Sequence, residues 1–441
     1  MAITINEMVL PITPVQARDY LQRQTDSFGV FFDVDRCYEL AAILQLENKD
    51  ITKQLRRMSM NPSLVPDDKL TIMQTLIDMG VNKTEFYPGK SRDPQLNAKV
   101  FATIKQNNVY DEEVLKFIEL YSTYTSNKRN KGNILNYALL PNSASLTKQK
   151  HRMSRGCPTW QLLRTSRIAA KDPGIQGIPR SMGDIITEPP GYTLYRADSG
   201  QIEPRINFST YLRDELIMNL IIYYNDAYYG ILNFCTMSDE EEKKCREDFK
   251  TNFKPIEITD KIKDMRQSIK RLTNAGSYGS SNLGDIIPSL AKAYELKVVK
   301  HPKRLELERK VTQDVEHGVN TFYGMFGTPV TPEETERYKK GESGWTDHVI
   351  RCGINNPVQT TASELMMFSI NEVMKILQEA KDSHVCFYKH DEACFYVSDE
   401  DVANGIGDRL AQVTAYNVKG WIPIESDLLV GVKPGEYPSY L

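Results

Sequence analysis

Several features that define common protein classes are missing from this sequence. It contains no run of about 18 apolar residues, so we predict no transmembrane helix. The N-terminus, MAITINEMVL, has no basic region ahead of an apolar one, so we predict no signal peptide. The seven cysteines are scattered without a C-x-x-C pair, and their odd number argues against a disulfide framework or a zinc site. Unpaired thiols are typical of a protein in a reducing cytoplasm.

Acidic residues are absent from one long stretch. Residues 128–171 contain ten Lys or Arg and no Asp or Glu, although the whole chain has 58 acidic residues and a net charge of −3. Such a stretch is suited to binding a polyanion, and a solvated basic loop is the alternative. The length of 441 residues, with 40% apolar and 26% charged residues, indicates a globular chain of roughly three units.

The segment Leu194–Arg205 combines a short apolar run with polar residues. The apolar run ends in a single carboxylate, Asp198, and two small residues follow it. Gln201, Glu203 and Arg205 then alternate, so an extended backbone would place all three on one face. We therefore predict a site at a sheet edge; the alternative is a strand that leaves the core into a solvated loop.

A second carboxylate lies in residues 384–397, HVCFYKHDEACFYV. Two β-rich runs flank His390, Asp391 and Glu392, which predicts a hairpin with both acids at the turn. If this hairpin lies beside the Asp198 strand, two carboxylates meet at one edge and suit Mg²⁺. Two such ions about 4 Å apart can activate an attacking oxygen and stabilise a leaving one. Acids at hairpin tips also serve solubility, which is the alternative.

A third segment, residues 265–279, has helical spacing of its polar residues. Positions 266, 270, 274 and 278 drift by only about 40° per step on a helix, so they form one stripe. Two cations followed by an aromatic ring are apt for a triphosphate with a base beyond it. An ordinary surface helix is the alternative. Elsewhere we predict a helix capped by Asp35, a helix over 111–124, mostly helices over 206–345, and a long helix over 357–380.

These three segments, in this order, resemble motifs A, B and C of the family A DNA polymerases. The matching patterns are D-x-x-Q-I-E-x-R at 198–205, R-x-x-x-K-x-x-x-x-x-x-x-Y-G at 266–279 and H-D-E at 390–392. T-S-R at 165–167, P-G-I-Q-G-I-P at 173–179 and R-C-G-I-N-N-P-V-Q-T-T-A-S-E at 351–364 resemble further family segments. F-G-V-F-F-D-V-D-R at 28–36 and Y-S-T-Y at 121–124 resemble the two ends of the thumb. The resemblance covers roughly 28–441.

The resemblance implies an α+β right-hand fold with a palm built on an antiparallel sheet and helical fingers and thumb. It implies an N-terminal lead-in at 1–27, a thumb with an adjoining palm strand at 28–164, palm at 165–212, fingers at 213–345 and palm again at 346–441. The implied activity is DNA-directed DNA synthesis on a primer 3′-OH with two Mg²⁺ ions, for which Mn²⁺ can substitute. The implied partners are primer–template DNA and dNTPs.

The resemblance also implies roles for individual residues. Asp198 and Asp391, with Ser199, would bind the metal ions, and Glu392 would support them. Lys270 would donate a proton to pyrophosphate. The implied nucleotide-binding residues are Arg266, Lys270, Gln201, Glu203, Asn274 and Tyr278, with Glu203 as the gate against a ribose 2′-OH. The implied DNA-binding residues are Arg167, Gln176, Arg351, Asn355, Gln359 and His390.

The sequence also departs from the family pattern. Asn274 stands where a large aromatic residue usually faces the sugar, which puts sugar selection in question. Tyr228 stands where the family often has His in D-x-H, and Asp226 is kept. Nothing precedes the thumb, so we expect no nuclease domain in this chain and consider a separate exonuclease or processivity factor as a partner. The expected protein is a monomer without a membrane partner, located in the cytoplasm, or in the host cytoplasm if a phage encodes it.

Two alternatives remain open at this point. A single-subunit RNA polymerase is opposed by Glu203 but kept open by Asn274. A catalytically inactive module that binds primer–template, or a replication accessory, is opposed by the presence of both metal-binding acids and the Arg266–Lys270 pair.

Overall fold

A computed structural model describes residues 2–87, 95–106, 110–141, 152–278, 287–334, 338–341, 344–389 and 391–430. The chain divides into two compact units. Of the described residues, the first unit contains 2–30, 157–177 and most of 188–430, and the second contains most of 31–156 together with 178–187. The structure contains both helices and strands, which agrees with the predicted α+β class. No helix among the described residues is long and apolar enough to cross a membrane.

The bounds of the α-helices and β-strands are as follows. The helices are α1 (Pro14–Ser27), α2 (Val34–Met58), α3 (Lys69–Asp78), α4 (Ala98–Gln106), α5 (Glu112–Ala138), α6 (Ile202–Ile206), α7 (Glu215–Tyr224), α8 (Ala227–Thr236), α9 (Asp239–Glu247), α10 (Phe249–Asn252), α11 (Asp260–Tyr278), α12 (Pro288–Tyr294), α13 (Pro302–Glu316), α14 (Trp345–Glu379), α15 (Asp399–Ala403) and α16 (Ile406–Leu410). The strands are β1 (Ile3–Ile5), β2 (Val30–Asp33), β3 (Met153–Gly156), β4 (Thr159–Leu162), β5 (Ile168–Lys171), β6 (Tyr192–Ser199), β7 (Phe322–Tyr323), β8 (Pro329–Val330), β9 (His384–Lys389), β10 (Glu392–Ser398), β11 (Tyr416–Val418) and β12 (Ser426–Val430).

A four-stranded antiparallel sheet, in the order β12–β6–β10–β9, forms the centre of the first unit. Strand β10 is buried along its whole length, and its aromatic and β-branched residues suit a pleated surface that is covered on both faces. The predicted hairpin over 384–397 is confirmed as β9 and β10. Its pairing with β6 sets Glu392 opposite Asp198 and Cys394 opposite Arg196.

Helix α14 is longer than predicted. The sequence predicted a helix over 357–380, but the helix begins at Trp345 and contains Pro357 in its interior. The lost donor at Pro357 affects the carbonyl of Gly353, four residues earlier. Gly353 packs so tightly that an added Cβ would lie 2.6 Å from Phe322 and Val311. Tertiary packing therefore overrides the local preference.

Helices α7, α8, α11 and α12 share an apolar cluster in the first unit, which confirms the predicted helical character of the chain after position 206. Close approach of α7 and α8 depends on Gly230, where an added Cβ would lie 2.8 Å from the backbone nitrogen of Ile221. This cluster supports α11, the helix that carries the predicted cationic stripe.

The second unit is built on the long helices α2 and α5 and on the strand pair β2–β3. Asp33, and not Asp35 as predicted, caps α2: its carboxylate accepts from the N–H of Arg36 at 2.9 Å. Helix α5 runs to Ala138, well beyond the predicted end at 124. The first part of the acid-free stretch is therefore helical, and residues 142–151 of that stretch lie outside the described residues.

Candidate active site

The backbone turns sharply directly after Asp198. Strand β6 ends at Ser199, Gln201 adopts a left-handed conformation with φ 54° and ψ 48°, and α6 begins at Ile202. The backbone is therefore not extended through Arg205, so the condition under which the three polar residues would share one face is not met. Pro204 has no N–H to donate to a sheet, whereas the first turn of a helix tolerates this loss.

As a result, the side chains of Gln201, Glu203 and Arg205 find three different sets of partners. Gln201 donates to the Asp226 carboxylate at 2.7 Å and accepts from the N–H of Ala227. Arg167 donates to Glu203 in a partly buried ion pair. Arg205 is buried, and its guanidinium donates to the backbone carbonyls of Pro423 and Asn225.

The two predicted metal-binding carboxylates lie at neighbouring strand ends. Asp198 is one residue from the end of β6, and Asp391 occupies the turn just before β10. The N–H of Ser199 donates to the carbonyl of Asp391 at 3.0 Å. The Ser199 hydroxyl itself donates to the Thr414 carbonyl at 2.8 Å, so its hydrogen is already engaged.

The electrostatics at Asp391 favour a cation. Burial raises the pKa of Asp391 above its usual range, and the nearby charges of Glu203 and Glu392 raise it further, partly opposed by Arg167. A bound cation would relieve this excess of negative charge. Among the described residues no group of three or more His, Cys, Asp or Glu side chains is arranged to hold a metal ion. One or two carboxylates with waters and phosphate oxygens are nevertheless an ordinary Mg²⁺ arrangement, so Asp198 and Asp391 fit that ion.

Glu392 directly follows the turn that carries Asp391 and pairs with Lys389 across the hairpin, so both acids lie at this end of the hairpin, as predicted, but in different surroundings. It is the first residue of β10, is buried, and forms an ion pair with Arg196 at 2.5 Å. Its carboxylate also accepts from the Cys394 thiol at 3.2 Å. Because Glu392 lies directly opposite Asp198 in an antiparallel ladder, its side chain is on the same face of the sheet as Asp198 and Arg196.

The predicted cationic stripe lies on α11 (Asp260–Tyr278), as expected for a helix. Arg266 is buried and pairs with Asp226 at 2.5 Å. Its guanidinium also lies over the rings of Tyr228 and Tyr229, 5.3 and 5.2 Å from their centroids. The Lys270 ammonium lies 5.8 Å from the Tyr228 centroid. The two cations therefore share one aromatic support.

A cavity of about 280 Å³ brings together residues from several of these elements. It joins the Asp391 turn, the α6 carboxylate Glu203 and the exposed end of the α11 stripe. Its lining residues are Arg167, Gln201, Ile202, Glu203, Pro204, Tyr228, Asn274, Ala362, Ser363 and Asp391. Five of these were predicted from the sequence as site residues.

Tyr228, which stands where the family often has His, also lines this cavity. Only 5% of the residue is exposed, and its hydroxyl has no hydrogen-bond partner in the part of the chain that the structure describes. Burial raises the pKa of Tyr228, and the charges of Asp226, Glu203 and Asp391 add to this effect. The phenol therefore stays neutral and keeps a proton to donate to a ligand in the cavity.

The remaining predicted residues lie elsewhere or outside the described part. Gln176 donates to the Tyr388 and Ile168 carbonyls and accepts from the N–H of Ala170, so its amide ties β5 to β9. Arg351 is exposed on α14, with its guanidinium over the Tyr338 ring. Asn355 and Gln359 follow at four-residue intervals on that helix and are half-buried. The side chain of Tyr278 and all of His390 lie outside the described residues.

Comparison with solved structures identifies the fold of this chain. The POL domain of Pol1 from M. smegmatis, in complex with DNA primer-template and dNTP, matches 96% of this chain and 70% of its own chain. The TM-score is 0.72 and the sequence identity is 15%. This chain shares the fold of a DNA polymerase domain. No protein-family model matches the sequence, and no curated protein matches it.

Within this polymerase-like fold, three positions that matter to the site were missed or left without a role. Asp226 pairs with both Gln201 and Arg266, and Arg196 pairs with Glu392. Asp427 occupies the register position opposite Asp198 on β12, the other neighbour of β6. Only the D-x-Y pattern at 226–228 offered a signal in the sequence. The other two positions depend on strand pairing.

Acidic residues from elsewhere in the chain partly neutralise the basic charge of the acid-free stretch, residues 128–171. Within the second unit, Lys128 pairs with Asp67 at 2.8 Å, and Arg152 pairs with Asp35. Both pairs are exposed, so they contribute little stability and screen the basic charge only in part.

Proposed function

We propose that this protein is a template-directed DNA polymerase of the family A type, with the palm, fingers and thumb of a right hand. The observation that carries the proposal is the cavity that unites Asp391, Glu203, Arg167 and Asn274 beside the end of the Asp198 strand. The fold shared with a polymerase domain supports it. The proposed substrates are primer–template DNA and dNTPs.

In this proposal Asp198 and Asp391, with the Ser199 backbone, hold two Mg²⁺ ions, and Mn²⁺ can replace them. When bound, the ions favour deprotonation of the attacking oxygen and neutralise charge on the leaving group. The primer 3′-hydroxyl gives its proton to solvent and its oxygen attacks the α-phosphorus of the nucleotide, so that a new P–O bond forms and the bond to the β-phosphate breaks. Pyrophosphate carries away the electron pair of that bond.

In this proposal, Arg266 and Lys270 bind the triphosphate of the nucleotide. Arg266 offers a planar fork and Lys270 a mobile point charge, and the Tyr228 ring supports both. Lys270 donates the proton that pyrophosphate takes up as it leaves. Without nucleotide, Asp226 holds the Arg266 guanidinium in place, so this residue is oriented before the substrate arrives. Tyr228 donates its hydroxyl hydrogen to a phosphate oxygen.

Other residues of the site select the sugar and contact the duplex in this proposal. Glu203 blocks a ribose 2′-OH, and Arg167, its ion-pair partner, contacts the primer end. Arg351, Asn355, Gln359 and His390 contact the minor groove, where acceptor positions are shared by all base pairs and contacts test shape and not sequence. Gln176 acts here by fixing β9, since its amide is bonded to the backbone.

Primer extension tests the proposal most directly. The full chain is given a 5′-labelled primer–template, Mg²⁺, and either dNTPs or rNTPs. Extension with dNTPs that requires both template and metal supports the proposal. Preferential use of rNTPs would identify an RNA polymerase-like enzyme. That alternative is open because Asn274 replaces the aromatic residue that usually faces the sugar. Duplex binding without any extension would identify an inactive primer–template-binding module.

A further inference from the structure

A buried ion pair lies directly beside the two candidate metal-binding carboxylates. Arg196 is 1% exposed and Glu392 is 7% exposed. The Nε and Nη2 groups of Arg196 both donate to Glu392 Oε1, at 2.6 and 2.5 Å. The Cys394 thiol donates to the same oxygen at 3.2 Å. One carboxylate oxygen therefore receives three donors.

The position of this pair in the sheet gives it a specific relation to the site. Arg196 lies two residues before Asp198 on the same face of β6, and Glu392 follows Asp391 directly in the chain. Glu392 is set opposite Asp198 in the ladder, while Arg196 is set opposite Cys394. The ion pair thus runs diagonally between the two strands whose ends bear the candidate metal-binding acids.

The positive charge of Arg196 limits the ability of Glu392 to bind a metal ion. A carboxylate that already faces a guanidinium in a buried environment gains little from a metal ion, since the ion would also be repelled by the guanidinium. Without Arg196, the negative charge of Glu392 would be uncompensated next to Asp391 in the chain and opposite Asp198 in the ladder. A further negative charge at this end of the sheet would attract a divalent ion more strongly.

We infer that Arg196 is a positioning residue that withdraws Glu392 from metal coordination and clamps the two strand ends, leaving the metal ions to Asp198 and Asp391. This inference rests on the proposed function for the presence of metal at the site. It replaces the role of metal-supporting carboxylate that the family resemblance implied for Glu392.

Direct metal binding tests the inference without any catalytic readout. The full chain is titrated with Mn²⁺, and free Mn²⁺ is measured by electron paramagnetic resonance. We expect Glu392→Gln to bind Mn²⁺ within twofold of the unsubstituted chain and Asp391→Asn to bind at least tenfold more weakly. If Glu392→Gln weakens binding as much as Asp391→Asn does, Glu392 is a ligand and the inference is overturned.

The guanidinium is tested by a double-substitution cycle. Arg196→Met leaves the Glu392 carboxylate uncompensated, so we expect Mn²⁺ to bind at least fivefold more tightly. Adding Glu392→Gln to that variant should return the affinity to within twofold of the starting chain. An unchanged affinity in Arg196→Met would overturn the clamp, because Glu392 would then be irrelevant to the metal in either state.

A second variant covers the case in which Arg196→Met does not fold. Arg196→Met combined with Glu392→Met removes both buried charges together, a change that buried ion pairs often tolerate. We expect this variant to keep its circular dichroism spectrum and bind Mn²⁺ within threefold of the unsubstituted chain. A tenfold loss in the folded variant would contradict the inference. Absence of Mn²⁺ binding by the unsubstituted chain would instead reject the proposed metal-dependent function.

Discussion

Ser199 and Asp391 are joined by a backbone hydrogen bond of 3.0 Å, from the N–H of the first residue to the carbonyl of the second. This bond ties the end of the Asp198 strand to the turn that carries the second carboxylate. Two acids that are 193 positions apart in the chain are thereby held at one edge of the sheet. The predictions below follow from this relationship and from the cavity beside it.

Replacing either acid by its amide should abolish extension. Asp198→Asn and Asp391→Asn keep the shape of the side chain but remove the charge that holds the ions. We expect a loss of at least about 1,000-fold in the single-turnover extension rate, since metal ions supply several kcal/mol of transition-state stabilisation. Fluorescence anisotropy should show duplex affinity within twofold. Asp408→Asn, an exposed acid of the same unit, is the matched control; retained extension by either active-site variant would refute the assignment.

Removing the Tyr228 hydroxyl should weaken use of the nucleotide without disturbing the cations. Tyr228→Phe keeps the ring that supports Arg266 and Lys270 but removes the hydroxyl donor of a residue that lines the cavity. A hydrogen bond to a charged group is worth about 1.5–3 kcal/mol, so KM for dNTP should rise roughly tenfold or more. Tyr229→Phe is the matched control, because its ring also lies over Arg266 but it does not line the cavity. Equal KM values for the two variants would contradict the role of Tyr228.

Glu203 should set the choice between deoxyribose and ribose. Its carboxylate lines the cavity and is held by Arg167. Glu203→Ala opens space for a 2′-OH, and we expect the ratio of kcat/KM for dNTP over rNTP to fall at least tenfold. Running both nucleotides on one primer–template measures this ratio. A ratio that stays within twofold would show that another residue provides the gate.

Asn274 is the second test of sugar selection. It is exposed on α11 and lines the cavity, where it offers an amide in place of a ring. Asn274→Phe and Asn274→Tyr add a planar surface against the sugar, so we expect an altered ratio of dideoxynucleotide to deoxynucleotide incorporation. Competition between the two nucleotides in extension assays gives the ratio. Unchanged discrimination in both variants would mean that residue 274 does not face the sugar.

Much of this site could be predicted because its signals are local. The β9–β10 hairpin follows from alternating aromatic and β-branched residues, and α11 follows from helical spacing. The turn at Gln201 could not be predicted, since a left-handed conformation is uncommon for a residue with a side chain. The pairs Arg196–Glu392 and Asp226–Arg266 join distant positions, so only the folded chain reveals them. Pro357 shows the same limit, because packing decides whether a proline begins a helix or lies within it.

Asp214 should make the first unit sensitive to acid. It caps α7 by accepting from the N–H of Ile217 and also contacts Arg246 and His301, at 2.9 and 3.0 Å. Burial alone would raise the pKa of Asp214, but the hydrogen bonds from His301 and Ile217 and the charge of Arg246 lower it to about 2. A carboxyl group with a lowered pKa in the folded state stabilises that state above its unfolded pKa. This stabilisation is lost as the pH falls from about 4 towards 2, and it amounts to roughly 2 kcal/mol.

Asp214→Asn should therefore lower the free energy of unfolding at pH 7 by about 2 kcal/mol, because the hydrogen bonds that buried His301 and half-exposed Arg246 make to Asp214 lose their charged acceptor. It should also flatten the dependence of stability on pH between about 4 and 2, since the titrating group is gone. Urea unfolding followed by circular dichroism at pH 7, 4 and 3 measures both effects. Asp260→Asn is the matched control, because the Asp260 side chain is 97% exposed. If Asp214→Asn keeps the full acid-induced loss of stability, other carboxylates cause that loss, and Asp214 serves as a helix cap alone.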